Sequence, residues 1–251
     1  MKKGMKIGIF DSGLGGLVIA RAVRKMMPSY DYVYLGDTKN LPYGDKSHKA
    51  VYGFTKKGVE YLFEKEGCAL VIVACNTASA RALRRIQKKY KDYKVLGVLI
   101  PAAEEASKYN RVGVLATKGT VSSQAFLVEI NKINKRAKVY QNPAPMLVPL
   151  IEGGEINKCV PYLKKYLKPL LDKNINALVL GCTHYPILKK EIKKLLTKGT
   201  QVISQDEIVP KKLKMYLERH QEIKSKISKN RSLKILVTKK TKNHKAKVVK
   251  I

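Results

Sequence analysis

The chain has 251 residues, 45% of them hydrophobic, enough apolar side chains for one large or two modest globular cores, so disorder is not the default. With 51 Lys and Arg against 19 Asp and Glu its formal charge is +32, and an anionic partner such as nucleic acid has to be weighed. No apolar run approaches the roughly 20 residues of a membrane span, no signal-peptide core precedes the first strand, and Cys68, Cys75, Cys159 and Cys182 lack the spacing of a zinc site, a disulfide framework or a C-x-x-C redox pair. These exclusions point to a cytoplasmic protein with reduced thiols, no metal and no membrane association.

Residues 6–10 read as a buried strand, and Asp11-Ser12-Gly13-Leu14-Gly15-Gly16 as a tight turn into a helix that carries Leu17, Ala20, Val23 and Met27 and closes at Pro28. Residues 32–35 form the next strand, ending in Gly36-Asp37-Thr38 and the loop Asn40-Leu41-Pro42-Tyr43-Gly44, after which a helix covers 51–66. The apolar run 70–74 delivers Cys75 onto the small, polar turn Asn76-Thr77-Ala78-Ser79, and a helix is expected from 78 to about 90. A fourth strand, 95–99, ends at Pro101, where the chain is expected to cross between domains. Strand and helix alternate throughout, the pattern of parallel βαβ units.

The second half repeats the first. Val112-Gly113-Val114-Leu115-Ala116-Thr117 echoes Ile7-Gly8-Ile9-Phe10-Asp11-Ser12 at an offset of 105, Val139-Tyr140 echoes Val33-Tyr34 at 106, and Cys182, at the end of the run 177–181, follows Cys75 at 107. Three matches in one order imply duplication, and the fold expected is α/β: two similar parallel-sheet α/β/α domains related by pseudo-twofold symmetry. Residues 1–100 with 206–251 are assigned to the first domain and 101–205 to the second. Past Pro186 come a helix, a short strand at 201–203, a helix at 209–219 and a last strand at 234–238. Residues 239–251 show little apolar periodicity and read as a loosely held basic tail carrying Lys239, Lys240, Lys242, Lys245, Lys247 and Lys250. Elsewhere the lysines fall as pairs on amphipathic patterns, such as Lys189-Lys190 and Lys193-Lys194, and read as solvated faces.

Ligands of parallel sheets bind beyond the carboxyl ends of the strands, where Asp11, Cys75 and Cys182 all sit, so the site is expected between the domains. A cysteine at a strand end that opens a helix sees unpaired N–H groups and the positive end of the dipole, which favour thiolate. Asp11 and His184 are within reach of proton-handling roles beside the two thiols, although Asp11 also reads as an N-cap and His184 as a satisfied structural histidine. Ser12, Thr77 and Thr183 suit a carboxylate or amino-acid ligand. Cys68 and Cys159 read as small buried hydrophobes. The Gly13, Gly15, Gly16 run looks like a phosphate loop but lacks a Walker lysine and the full dinucleotide fingerprint.

Four motifs in order, Phe10-Asp11-Ser12-Gly13-Leu14-Gly15-Gly16, Pro42-Tyr43-Gly44, Ala74-Cys75-Asn76-Thr77-Ala78-Ser79 and Gly181-Cys182-Thr183-His184-Tyr185-Pro186, resemble the glutamate racemases, from about residue 7 to 217. The resemblance implies a cofactor-independent, two-base interconversion of L- and D-glutamate that supplies D-glutamate for peptidoglycan. It implies that Cys75 takes the proton from D-glutamate and Cys182 from L-glutamate, with Asp11, His184 and Glu152 assisting. The matching substrate contacts are Asp11, Ser12, Tyr43, Gly44, Asn76, Thr77, Thr183 and His184. The chain departs from the pattern at Ala144-Pro145, where a cysteine usually precedes the proline, at Ser204-Gln205, where an aspartate is usual, and in its lysine-rich end. Racemisation of another acidic amino acid, aspartate, uses the same machinery and stays open, as does a homodimer. A basic nucleic-acid-binding protein rests on charge alone, and implies at most weak, non-specific binding.

Overall fold

Two separate sheets, parallel at every pairing, organise the chain in the computed structural model, which describes residues 4–240 and 246–251. The first is laid down by β1 (Lys6–Asp11), α1 (Leu17–Met26), β2 (Tyr32–Gly36), α2 (His48–Glu64), β3 (Cys68–Val73), α3 (Asn76–Arg81), α4 (Leu83–Lys89) and β4 (Val95–Gly97). Next, α5 (Leu99–Ala106) leads into β5 (Arg111–Ala116), α6 (Lys118–Ser122), α7 (Ala125–Ile133), β6 (Lys138–Pro143), α8 (Leu147–Glu152), α9 (Cys159–Leu171), β7 (Ala177–Gly181), α10 (Lys189–Leu195) and β8 (Gln201–Ile203). The return is made by α11 (Gln205–Arg219) and α12 (Gln221–Lys224), and β9 (Leu233–Val237) and β10 (Lys247–Val248) then extend the first sheet beyond β2.

The strands are apolar on both faces because helices cover both faces: β2 and β7 are buried at every position. Helix α1 turns Leu17, Ile19, Ala20 and Val23 inward and ends on Arg24 and Lys25, whose charges complement the negative end of its dipole. Four core clusters result, two against each sheet. Among the described residues no helix is long and apolar enough to cross a membrane.

The duplication is visible in strand order and in register. The order β2-β1-β3-β4 in the first sheet recurs as β6-β5-β7-β8 in the second. Phe10 pairs with Val73, and Leu115 with Leu180, so Cys75 and Cys182 each stand two residues past equivalent register positions at the carboxyl ends of β3 and β7. The β2 and β6 match shifts by one from the sequence alignment: Gly8 pairs with Val33 and Gly113 with Tyr140, an offset of 107 rather than 106.

Several local expectations change. The helix after Cys75 starts two residues early and breaks at Ala82, giving α3 and α4. Pro101 does not end a strand: β4 stops at Gly97, and the proline sits in the first turn of α5, where its missing N–H has no partner to lose. Helix α11 begins at Gln205 rather than 209, with Asp206 and Glu207 placed favourably in its first turn. The tail is not wholly loose. Lys242 and Lys245 lie outside the described residues, but Lys247 and Val248 pair with Leu236 and Val237, and Val249 and Ile251 pack on the first core while Lys247 and Lys250 stay exposed.

Candidate active site

The carboxyl ends of β1 and β3 from the first sheet and of β5 and β7 from the second border one cleft. Ser12, Tyr43, Gly44, Cys75, Asn76 and Thr77 line it from the first half, and Thr117, Lys118, Cys182, Thr183 and His184 from the second. Two of the expected residues stand behind this wall. Asp11 is fully buried under the Ser12 turn, and Glu152 lies behind His184.

Cys75 is the N-cap of α3, and its Sγ accepts from the Ala78 N–H at 3.5 Å. That contact and a hydrogen bond from Ser12 favour thiolate, but burial and then the Asp11 charge outweigh them and push the thiol up to about 12. The free protein therefore holds Cys75 as a thiol, which corrects the expectation drawn from strand-end placement alone. Cys182 differs in setting. It is followed by a short 3-10 turn, Tyr185–Leu188, instead of an α-helix, and its Sγ lies 3.7 Å from His184 Nδ1.

His184 spans the gap between that thiol and Glu152, whose Oε1 sits 2.6 Å from Nε2. Burial alone would discharge the ring. Hydrogen bonds to Cys182 and Glu152, with the electrostatic pull of Cys182 and of Asp11, more than offset that penalty and raise it to about 10, so the imidazolium form is held. Gly16, not Asp11, is the N-cap of α1, but Asp11 Oδ2 accepts from Gly13 N–H at 3.1 Å and Gly16 N–H at 3.0 Å, pinning the turn into α1, while the Thr183 hydroxyl reaches Oδ1 at 3.4 Å. Burial lifts its pKa, and the His184 charge and the two amides oppose the rise.

The glycine run serves close approach rather than phosphate. A Cβ on Gly16 would stand 2.6 Å from the Asp11 Cβ, and one on Gly15 would stand 2.6 Å from the His184 ring. Tyr43 is held from behind, donating to Asp37 Oδ2 at 2.6 Å, with Thr238 of the segment after β9 donating to Oδ1 at 2.7 Å. Thr117 was not among the expected site residues, yet it lines the cleft and its hydroxyl is 2.8 Å from that of Thr77. The repeat carried the signal, since Thr117 follows Ser12 at the 105-residue offset. Cys68 and Cys159 are fully buried in the cores and do not line the cleft. Among the described residues no group of three or more His, Cys, Asp or Glu is arranged to hold a metal ion.

This arrangement can place a thiol on either side of a small bound molecule, with hydroxyls and amides between them for its carboxylates. Known proteins share the fold. The Asp/Glu/Hydantoin racemase family matches residues 18–208. A glutamate racemase from Aquifex aeolicus (strain VF5) is 41% identical over 219 residues, 85% of this chain and 84% of that one. The crystal structure of glutamate racemase from Francisella tularensis subsp. tularensis SCHU S4 in complex with D-glutamate superposes with a TM-score of 0.88 at 34% identity, covering 95% of this chain and 90% of that one. Escherichia coli glutamate racemase, solved with L-glutamate and an activator, gives a TM-score of 0.78 at 27% identity over 96% of this chain and 91% of that one. The chain belongs to the Asp/Glu/hydantoin racemase family.

Proposed function

We propose that the protein is a glutamate racemase, an isomerase that interconverts L- and D-glutamate without a cofactor and supplies D-glutamate for the bacterial cell wall. One observation carries this reading: two thiols from equivalent strand ends of the two halves line a single cleft, each with a different proton-handling group beside it. Racemisation requires a base on one face of the α-carbon and an acid on the other. With L-glutamate bound, the Cys182 thiolate removes the α-proton, leaving a carbanion stabilised by its carboxylate, and the Cys75 thiol delivers a proton to the opposite face. D-glutamate reverses the roles.

The electrostatics suit this division. Cys75 enters as the thiol, the form that donates, and the His184 cation 3.7 Å from Cys182 Sγ is the counter-charge a thiolate needs. Asp11 is the carboxylate whose charge acts on Cys75, and Glu152 helps to hold His184 charged. Ser12, Thr77 and Thr183 offer hydroxyls to the substrate carboxylates, with Asn76 and the Tyr43-Gly44 loop completing the cradle. Reduced cysteines are needed, a requirement that favours the cytoplasm as the compartment of the reaction. Neither a second copy of the chain nor nucleic acid enters these steps.

The test is circular dichroism of L- and D-glutamate, and of L-aspartate, with the protein and no addition. Both glutamate enantiomers should lose their signal at rates unaffected by chelator. A requirement for pyridoxal phosphate or a metal, or faster turnover of aspartate, would overturn the assignment.

A further inference from the structure

Gln205 opens α11 where the chain leaves the second sheet after Ile203 and returns to the first. It is fully buried, and its side chain does not cap its own helix. It forms a reciprocal amide pair that ties this junction to α3: Asn76 Nδ2 donates to Gln205 Oε1 at 2.9 Å, and Gln205 Nε2 donates to Asn76 Oδ1 at 2.5 Å. Asn76 follows Cys75 directly and lines the cleft at 2% exposure.

A primary amide carries two N–H donors and an oxygen with two lone pairs. The pair takes one of each from Asn76, fixes its side-chain torsions through two bonds at once, and leaves one N–H and one lone pair for whatever occupies the cleft. A buried amide is a poor choice for filling space, because it is destabilising unless its hydrogen bonds are made, whereas Leu or Met would fill the volume without that demand. The bonds Gln205 makes go to the residue beside the thiol. The chain's own polar groups near α11 are satisfied separately, with the Ser204 hydroxyl on Asp206 and Lys189 on Asp206 and Glu207.

We propose that Gln205 is a positioning residue for substrate binding: it holds the Asn76 amide in the orientation that meets glutamate and ties that orientation to the seating of the two halves. The inference rests on reading the cleft as the glutamate site. Ile203, two residues before Gln205, is part of a second-half core, while α11 after it packs along α1 in the first half, so a displacement of one half against the other acts at this junction and reaches Asn76.

A double-mutant cycle tests it, using wild type, Asn76→Ala, Gln205→Met and the double variant, with KM and kcat for both enantiomers and near-ultraviolet circular dichroism as the check of folding. Loss of one well-placed hydrogen bond to a carboxylate corresponds to about a tenfold change. Gln205→Met should raise KM about tenfold with kcat within about threefold, and should add nothing once Asn76 is already Ala. Gln205→Glu keeps the chain length but has no hydrogen to return to Asn76 Oδ1, and should raise KM as well. An unchanged KM in either folded variant, or an undiminished effect of Gln205→Met in the Asn76→Ala background, overturns the proposal. Unfolding of both Gln205 variants also overturns it, since the pair would then be a determinant of the fold. If Asn76→Ala itself leaves KM unchanged, the assignment of Asn76 as a substrate contact fails first, and that result is distinct from a failure confined to Gln205.

Discussion

Glu152→Gln isolates the carboxylate behind His184. Glutamine keeps the shape and an acceptor near Nε2, where Oε1 now sits at 2.6 Å, and removes only the charge. A hydrogen bond involving a charged partner contributes about 1.5–3 kcal/mol, and a neutral one about 1 kcal/mol. The imidazolium should therefore lose about 1–2 kcal/mol, or about one pKa unit, from a starting point of about 10. If that cation stabilises the Cys182 thiolate in the transition state, kcat/KM falls about tenfold. The two enantiomers have equal free energies in water, so the equilibrium constant is one and kcat/KM must fall equally in both directions. Racemisation assays alone cannot locate the defect. A glutamate with chloride on Cβ can: abstraction expels chloride, and reprotonation is not needed. Elimination from the L-isomer, which uses Cys182 as base, should fall about tenfold, while elimination from the D-isomer should stay within about twofold. Equal losses for both isomers, or none for the L-isomer, would refute the assignment of Glu152 to the Cys182 side.

Cys75→Ser and Cys182→Ser should each reduce racemisation by about 10²–10⁴-fold, the range for loss of a general acid or base; the Cys182 variant should keep elimination from the D-isomer and the Cys75 variant from the L-isomer, and near wild-type racemisation by both would sink the two-base scheme. The raised pKa of His184 makes its contribution to stability fully present below about pH 6.5, its unfolded value, and lost as pH rises through about 10. The difference in urea midpoint between wild type and His184→Asn should therefore shift against wild type from pH 6 to pH 10; a constant difference would mean the ring is not held charged. The +32 charge predicts weak, sequence-independent binding to DNA with a steep inverse dependence on salt, followed by fluorescence anisotropy, and a sequence-selective complex that persists at high salt would contradict it.

The duplication and the strand-end thiols were legible in the sequence because parallel strands buried on both faces read as short apolar runs, and because register preserves their spacing. The electrostatic state of the thiols was not. Local sequence shows that Cys75 opens a helix, but its pKa is set by enclosure and by Asp11, which comes from a neighbouring strand. The break at Ala82 and the pairing of Val248 with Val237 were likewise hidden, since each depends on what the segment packs against rather than on its own periodicity. Gln205 appeared in the sequence only as a departure from a pattern. Its partner Asn76 lies 129 residues away, and nothing local announces the pair.

On the proposed assignment, the asymmetry between the two thiols matches the asymmetry of the substrate. A strict twofold axis through the cleft would exchange Cys75 and Cys182, and it would offer a bound glutamate two equivalent orientations. Glutamate has no such symmetry: its α-carbon bears an ammonium, a carboxylate and a side chain that ends in a second carboxylate. A cradle that selects one of those orientations differs on its two sides, and this one does, with the Tyr43-Gly44 loop on the first half and the segment around Ala144 and Pro145 on the second. Once the cradle is unequal, the two faces of the α-carbon see unequal surroundings, and each thiol requires its own means of changing charge. Cys75 has Asp11, Ser12 and the Ala78 amide of α3; Cys182 has an imidazolium backed by Glu152. Duplication supplied two thiols at equivalent strand ends, and the shape of an amino acid required their neighbours to diverge.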